Sequence, residues 1–156
     1  MYRGPPRAMV QMSHPGEGAL TESSGDWSGL VVYCAANPWH GNRGSDQHMA
    51  ERLADYAPVL YVDPPLSVVA DRRAKRAGEA ARVRGVQVLR TNLARVTPIA
   101  PPYPGRRGFR GLADLSTRLT VRRSLRQLGR PNVHAVVAGS FAPVFGSAGE
   151  RHRIFY

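Results

Sequence analysis

The residues best suited to chemistry stand in the stretch WHGNRGSDQ, which follows a short apolar run. Gly41 and Gly44 allow the backbone to approach a ligand closely, and a helix that begins near Ser45 directs its free N–H groups toward the same place. Arg43 is suited to a bidentate contact with phosphate or carboxylate, and Trp39 is suited to stacking on a sugar or another ring. This pattern predicts a loop that binds a polar or anionic ligand.

Other chemistries do not fit the residues of this loop. A Walker loop needs a lysine after its last glycine, whereas Gly44 is followed by Ser-Asp, and the dinucleotide fingerprint GxGxxG is also missing. His40, Asp46 and His48 lack a zinc-ligand spacing and straddle a loop and a helix start. We therefore predict no metal site and no cofactor. One structural alternative stays open: the loop only turns the chain and caps the helix, with Trp39 packed on the core.

Apolar runs that alternate with helical patterns predict an α/β domain. The runs predicted as strands are LVVYCA (30–35), VLYVD (59–63), VQVLR (86–90), RVTPIAP (95–101), HAVVAG (134–139) and RIFY (153–156). The fourth run fits only an edge or a bend because it contains Pro98. The alternation favours a Rossmann-like parallel sheet with helices on both faces, in which ligands bind at the carboxyl ends of the strands. The loop after the first run is therefore expected at the binding edge.

Three segments are predicted to be helical, in part or in full. One has Ser45 as its N-cap and is stopped by Pro58, one occupies part of 66–84, and one covers 112–128. The predicted buried side of the first consists of Met49, Ala50, Leu53, Tyr56 and Ala57. In the last, the apolar stripe changes sides, from Leu112, Leu115 and Leu119 to Val121, Leu125 and Leu128. A kink, or two partners on two faces, would explain this change.

Length and composition favour one domain with a real core, since the chain has 156 residues of which 42% are hydrophobic. No apolar run approaches the roughly 20 residues of a membrane-spanning helix. Residues 1–28 are rich in Gly, Pro and Ser without periodicity, which predicts a disordered leader ahead of a domain at 29–156. Cys34 is the only cysteine, so no intrachain disulfide forms, which suits a reducing cytoplasm.

The formal charge of +11 comes almost entirely from arginine, since Lys75 is the only lysine. Arginine together with abundant alanine is also typical of a GC-rich genome, so the charge has a non-functional explanation. The residues proposed for a basic patch are Arg106, Arg107, Arg110, Arg122, Arg123 and Arg126. An anionic membrane surface or a nucleic acid would be attracted to them. Only Tyr103 and Phe109 supply aromatic rings in this region, which weakens the nucleic-acid interpretation.

Three segments together carry a resemblance to a known family. WHGNRGSDQHMAERLADYAPVLYVDPP, HAVVAGSFAPVF and the final RIFY resemble the N-terminal domain of GT-B-fold glycosyltransferases, in particular bacterial enzymes that build surface polysaccharides. The resemblance implies that Trp39, Asn42, Arg43 and Gln47 line the cleft between two domains. It also implies that this domain receives the acceptor, whereas a second domain, beyond a sixth strand that the sequence leaves unfinished, holds the nucleotide-sugar donor.

The implied activity is transfer of a sugar from a nucleotide-sugar to a polysaccharide or lipid-linked acceptor, with this chain alone inactive. Only position makes His40, His48, Asp46 and Asp63 candidates for a general base. The implied location is cytoplasmic, with peripheral contact to an anionic membrane through the arginines. Two alternatives from other classes remain: a non-catalytic Rossmann-like binding module, and a basic nucleic-acid-binding protein.

Overall fold

The computed structural model describes residues 25–40, 44–76, 85–102, 110–139 and 144–156. Its strands are β1 (Leu30–Cys34), β2 (Val59–Val62), β3 (Leu66–Ser67), β4 (Gln87–Arg90), β5 (Leu93–Val96), β6 (Ile99–Ala100), β7 (Val133–Ala138) and β8 (His152–Phe155). Its helices are α1 (Ser45–Leu53), α2 (Val68–Arg76) and α3 (Arg110–Gln127).

Six strands form one mostly parallel sheet in the order β4-β5-β2-β1-β7-β8. Every residue of β1 and β2 is buried, as continuous apolar runs in a parallel sheet require. The predicted α/β class is confirmed, but a fully parallel sheet is wrong because β4 pairs antiparallel with β5. The two strands are joined by a turn at Thr91 and Asn92, and so short a connection permits only an antiparallel pair.

The predicted fourth strand divides into two elements around Pro98. β5 lies within the main sheet between β2 and β4, rather than at an edge or bend. β6 leaves the main sheet and pairs in parallel with β3 in a separate two-stranded sheet. The division follows from Pro98, which lacks an N–H group for the main ladder; its carbonyl instead accepts a hydrogen bond of 2.9 Å from the N–H of Leu66.

Helices cover both faces of the main sheet. On one face, Val121 and Leu125 of α3 pack in a core cluster with Val32. On the other face, Ala50 of α1 packs in a second cluster with Val31. Successive residues of β1 therefore pack in the cores on opposite faces of the sheet, as the alternation of side chains along a strand requires.

The core begins earlier in the chain than the predicted domain boundary at residue 29. Trp27 is only 6% exposed and belongs to the same core cluster as Leu30 and Val133. Residues 1–24, the rest of the predicted leader, lie outside the described residues.

The predicted buried face of α1 is only partly correct. In α1, Ala50 is buried, but Met49 is 51% exposed, and Tyr56, just beyond the helix, is 90% exposed. The buried polar side chains of Asp46 and Gln47 take their place, because hydrogen bonds rather than apolar contacts decide which side of α1 faces inward.

α3 is a single helix whose two apolar stripes have different environments. Val121 and Leu125 face the sheet. The opposite stripe consists of Leu112, Leu115 and Leu119, which are 51%, 51% and 55% exposed. The stripe of Leu112, Leu115 and Leu119 is thus available to a ligand.

Leu60 and Leu119 provide a matched test of this packing. Leu60 is fully buried in β2, so Leu60→Ala should lower the free energy of unfolding by about 2–5 kcal/mol through lost contacts and a cavity. Leu119→Ala should change it by only about 0.5 kcal/mol, as expected for a surface position. Urea denaturation measures both values, and equal losses would contradict the exposed position given to Leu119 on α3.

Candidate functional site

The order of the strands indicates where a ligand would bind. Counted along the chain, the parallel strands lie in the order third, second, first, fourth, fifth, so the progression reverses between β1 and β7. In open α/β sheets, ligands bind beside the carboxyl ends of the strands at such a reversal. The loop after β1, where the sequence predicts binding, starts at this point.

A buried carboxylate in the first turn of α1 organises this edge. Asp46 Oδ2 accepts hydrogen bonds from the backbone N–H groups of Ala36 and Asn37, at 3.1 and 2.9 Å, and from Asn37 Nδ2 at 3.0 Å. Asp46 Oδ1 accepts from the hydroxyls of Tyr33 and Tyr156, at 3.2 and 2.8 Å. The carboxylate thereby connects β1, its loop, α1 and the residue that follows β8.

The titration of these groups follows from the same contacts. Burial alone would raise the pKa of Asp46, but hydrogen bonds from Tyr156, Asn37 and Tyr33 outweigh it and hold that pKa below its usual value. Burial raises the pKa of the Tyr33 and Tyr156 hydroxyls. At neutral pH the cluster therefore contains an ionised carboxylate and two protonated phenols, which is the combination that its hydrogen bonds require.

Tyr156 closes over the reversal point itself. Its hydroxyl oxygen contacts that of Tyr33, and a Cβ at Gly139 would lie only 3.0 Å from it. A larger residue at position 139 would therefore require the Tyr156 ring to shift by a few tenths of an ångström. Tyr156 is still 56% exposed, so it meets solvent, as Asn37 of the same cluster also does.

A second cluster lies at the ends of β2 and β5. Asp63 Oδ1 accepts the backbone N–H of Trp39 at 2.7 Å, and Asp63 Oδ2 accepts Arg95 Nε at 2.8 Å and the hydroxyl of Thr97. Asp63 and Arg95 form a buried ion pair. Burying two charges is tolerated because most of their polar atoms are hydrogen-bonded, although Arg95 Nη1 has no partner among the described residues.

Aromatic rings join the two clusters. The Tyr61 ring stacks on Tyr33 at a centroid distance of 5.8 Å and meets Trp39 edge-on at 4.9 Å. The Tyr61 hydroxyl donates to the carbonyl of Asn37 at 2.7 Å. Trp39 is half-buried and packs against the core, which agrees with the structural alternative for this residue and leaves part of its ring open to solvent.

The predicted site residues have different positions in the structure. The N-cap of α1 is Gly44 and not Ser45, which is the exposed first residue of the helix. Gln47 is buried: its Oε1 accepts the N–H of Gly44 at 2.5 Å, and its Nε2 donates to the carbonyl of Pro38 at 3.1 Å. This is half of a capping box, since glycine has no side chain for the other half. Asn42 and Arg43 lie outside the described residues.

The residues that the sequence did not single out are Tyr33, Tyr61 and Arg95. They occupy one row across the sheet, because the strand register pairs Tyr33 with Tyr61 and Tyr61 with Arg95. Each stands next to the last residue of its strand. A large polar-tipped residue at that position of three consecutive parallel strands is a signal that the sequence does carry.

The carboxylate of Asp46 occupies the position beside the loop after β1 where an anion would otherwise bind. The N–H groups of Ala36 and Asn37 both point to Asp46 rather than to an open position.

Across the described ranges, no group of three or more His, Cys, Asp or Glu side chains is arranged to hold a metal ion. None of the described helices is long and apolar enough to cross a membrane.

No protein-family model, curated protein or solved structure matches this chain. The resemblance to glycosyltransferases thus stays a prediction, and the site has to be interpreted from its own geometry.

Asp46→Asn tests the central carboxylate. The amide places donor hydrogens against existing donors, so the variant should lose about 1–3 kcal/mol of unfolding free energy at pH 7. Because the folded pKa of Asp46 is lowered, this contribution is fully present above the unfolded pKa of about 4 and is lost as the pH falls through the folded value.

Urea denaturation of both proteins from pH 7 to pH 3 measures the difference. Asp55→Asn, at an exposed position, is the control and should cost about 0.5 kcal/mol or less. A difference that stays constant down to pH 3 would contradict the role given to the ionised form of Asp46.

Cys34 should be chemically inert in the folded protein. Burial raises the pKa of its thiol to about 12, and the charge of Glu150 adds to the effect, so at neutral pH it is neither ionised nor accessible. The native protein should release no thionitrobenzoate from Ellman's reagent within minutes, and the unfolded protein should release one equivalent. Rapid stoichiometric reaction of the native protein would show that the end of β1 is open.

Proposed function

We propose that this domain is the acceptor-side half of a GT-B-type glycosyltransferase. Such an enzyme would transfer a sugar from a nucleotide-sugar to a saccharide or lipid-linked acceptor, between this Rossmann-like domain and a second one. Two independent features support the proposal: the resemblance of the segments around Trp39 and Ala138, and a strand order that reverses beside the predicted loop.

One observation carries the proposal furthest: the described part of the loop after β1 has already used two of its N–H groups. Asp46 occupies those of Ala36 and Asn37, so this part of the loop does not offer the donors that a phosphate needs. Tyr156 and Trp39 each expose part of an aromatic ring. Partly exposed aromatic rings suit the apolar face of a saccharide better than a diphosphate, which agrees with acceptor binding.

The chemical roles follow from the ionisation state of the groups. An ionised carboxylate with a lowered pKa is a weak proton acceptor, so Asp46 is suited to holding Tyr156 in position rather than to acting as a general base. Asp63 is occupied by Arg95, Thr97 and the N–H of Trp39. We infer that neither of these two carboxylates takes the proton of an acceptor hydroxyl.

The same observation supports a second candidate, a binding module without chemistry. Both carboxylates of the described edge are fully hydrogen-bonded within the protein. A module of this kind would bind a saccharide but transfer nothing, so the two functions differ in whether sugar transfer can be measured.

The decisive measurement is sugar transfer by the protein as its gene encodes it, with any sequence that follows Tyr156. A panel of UDP- and GDP-hexoses is incubated with saccharide and lipid-extract acceptors. Trp39→Ala should lower kcat/KM for the acceptor by about tenfold or more, because the aromatic contact is lost, and should leave KM for the donor unchanged. Tyr56→Ala, which removes a 90% exposed ring outside the site, is the matched control.

The 156-residue chain alone should transfer no sugar and should bind UDP or GDP with a Kd above about 1 mM, since the donor needs the second domain. Saccharide binding without transfer by the encoded protein would favour the binding module. Micromolar binding of UDP by the 156-residue chain would contradict the acceptor-side assignment.

A further inference from the structure

Two histidines lie side by side on the last two strands of the main sheet. His134 belongs to β7, and His152 begins β8, the strand at the edge of the sheet. The centres of their rings are 5.0 Å apart. Both side chains are exposed. They lie near the amino ends of their strands, at the opposite end of the sheet from the Asp46 cluster, so nothing in the proposed function uses them.

An irregularity in β7 brings His134 to this position. Where β1 advances by one residue, β7 advances by two, from Val133 to Ala135, so His134 has no partner in β1. A bulge of this kind redirects a side chain, and bulges are frequent beside functional sites. On the side of β8, Ala135 pairs with His152, which places the two histidines at neighbouring positions on adjacent strands.

The two imidazole rings are available to a ligand. Apart from their mutual contact, they make no hydrogen bond or ion pair within the part of the chain that the structure describes. A neutral imidazole keeps one nitrogen lone pair that can bind a metal ion. Two imidazoles that share one ion each hold it at about 2.1 Å, which places their ring centres about 5 Å apart. The observed separation therefore needs no movement of the strands.

The chemistry of the ligand atoms selects the class of ion. Imidazole nitrogen suits zinc, nickel and copper, whereas magnesium and calcium require oxygen ligands. Among the described residues, no third His, Cys, Asp or Glu side chain joins the pair, so water molecules would complete the coordination.

The charges beside the pair limit its affinity for a cation. Arg151 and Arg153 flank His152 in sequence, and both are exposed. Glu150 Oε1 partly compensates this charge, since it accepts Arg153 Nε at 2.9 Å. With two protein ligands and this net positive surrounding, we expect a Kd on the order of 10–100 μM rather than a nanomolar value.

We propose that His134 and His152 form a two-histidine site for a transition-metal ion of the zinc, nickel or copper type. The pair is 18 positions apart in sequence and is brought together only by the pairing of β7 with β8. The proposal departs from the prediction of no metal site, which rested on residues of the loop after β1.

The bound ion would fasten the edge strand to the sheet. β8 pairs with β7 alone, and all four of its residues are exposed. An ion shared by the two strands stabilises this pairing, because it binds only where both imidazoles are in place. Tyr156, which follows β8, reaches Asp46, so the ion would also support the residue at the far end of the strand. Metal binding itself does not rest on the proposed function.

Calorimetric titration of the 156-residue chain, free of any affinity tag, tests the site. The probes are nickel chloride and zinc chloride, with magnesium chloride as the oxygen-seeking control. At about pH 7.5, where imidazole is mainly neutral, one nickel or zinc ion should bind per chain in the micromolar range. Magnesium should give no saturable binding.

Two single variants and their combination show whether one ion is shared. His134→Gln and His152→Gln should each weaken nickel and zinc binding by at least about tenfold, because either change leaves a lone imidazole. The double variant should be weaker than the single variants by no more than about twofold, since the shared ion is already lost. Both side chains are exposed, so thermal unfolding without metal should match that of the wild type.

His48→Gln is the matched control. It removes a histidine of α1 whose side chain is 63% exposed, and it should leave nickel binding within about twofold of the wild type. Nickel at about 1 mM should raise the unfolding temperature of the wild type and of His48→Gln. It should not raise that of His134→Gln or His152→Gln.

Four results would overturn the proposal. They are no saturable binding of nickel or zinc by the folded chain, binding that survives the two histidine changes, and magnesium binding as tight as that of nickel. The fourth is an additive loss in the double variant, which would show that the two imidazoles bind separate ions.

Discussion

The ligand edge of this domain depends on one buried carboxylate. A buried charge costs several kcal/mol unless hydrogen bonds compensate it. Asp46 receives such bonds from the loop after β1 and from Tyr33 and Tyr156. The first turn of α1 therefore has to lie against the end of β1, and the residue after β8 has to reach back across β7. Gln47 adds to this constraint, because its side chain is hydrogen-bonded to both Gly44 and Pro38 of the loop that precedes α1.

The strands could be predicted where burial alone determines them. β1, β2 and β7 are mostly apolar and rich in valine, so their sequences indicate buried strands. The direction of β4 could not be predicted, because an apolar pattern does not encode pairing direction. β5 was misplaced because the predicted run included Pro98, which lies beyond the end of this strand. The burial of Arg95 in β5 depends on Asp63, which is 32 residues away in sequence and is invisible to any local pattern.

The location of the loop around Trp39 was more predictable than its contacts. The alternation of strands and helices was enough to predict that this loop follows the carboxyl end of β1, where the structure has it. The cluster of Asp46 and Tyr156 was not predictable, since its partners are 110 residues apart. Hydrophobic periodicity also failed for α1, where Met49 is exposed and Asp46 is buried. Periodicity describes apolar contacts, and hydrogen bonds determine the orientation of this helix.

The central place of β1 in the sheet has a consequence for how the chain acquires its structure. β1 pairs on one side with β2, which is near in sequence, and on the other with β7, so that Val31 meets Ala135. Contacts between residues about a hundred positions apart require the closure of a long loop, which costs a large conformational entropy before the contacts contribute stability. We expect β1 and β2 to associate early and to leave one edge of β1 unpaired until β7 has been synthesised. During that interval on the ribosome, the future centre of the sheet is an open edge that a chaperone can protect.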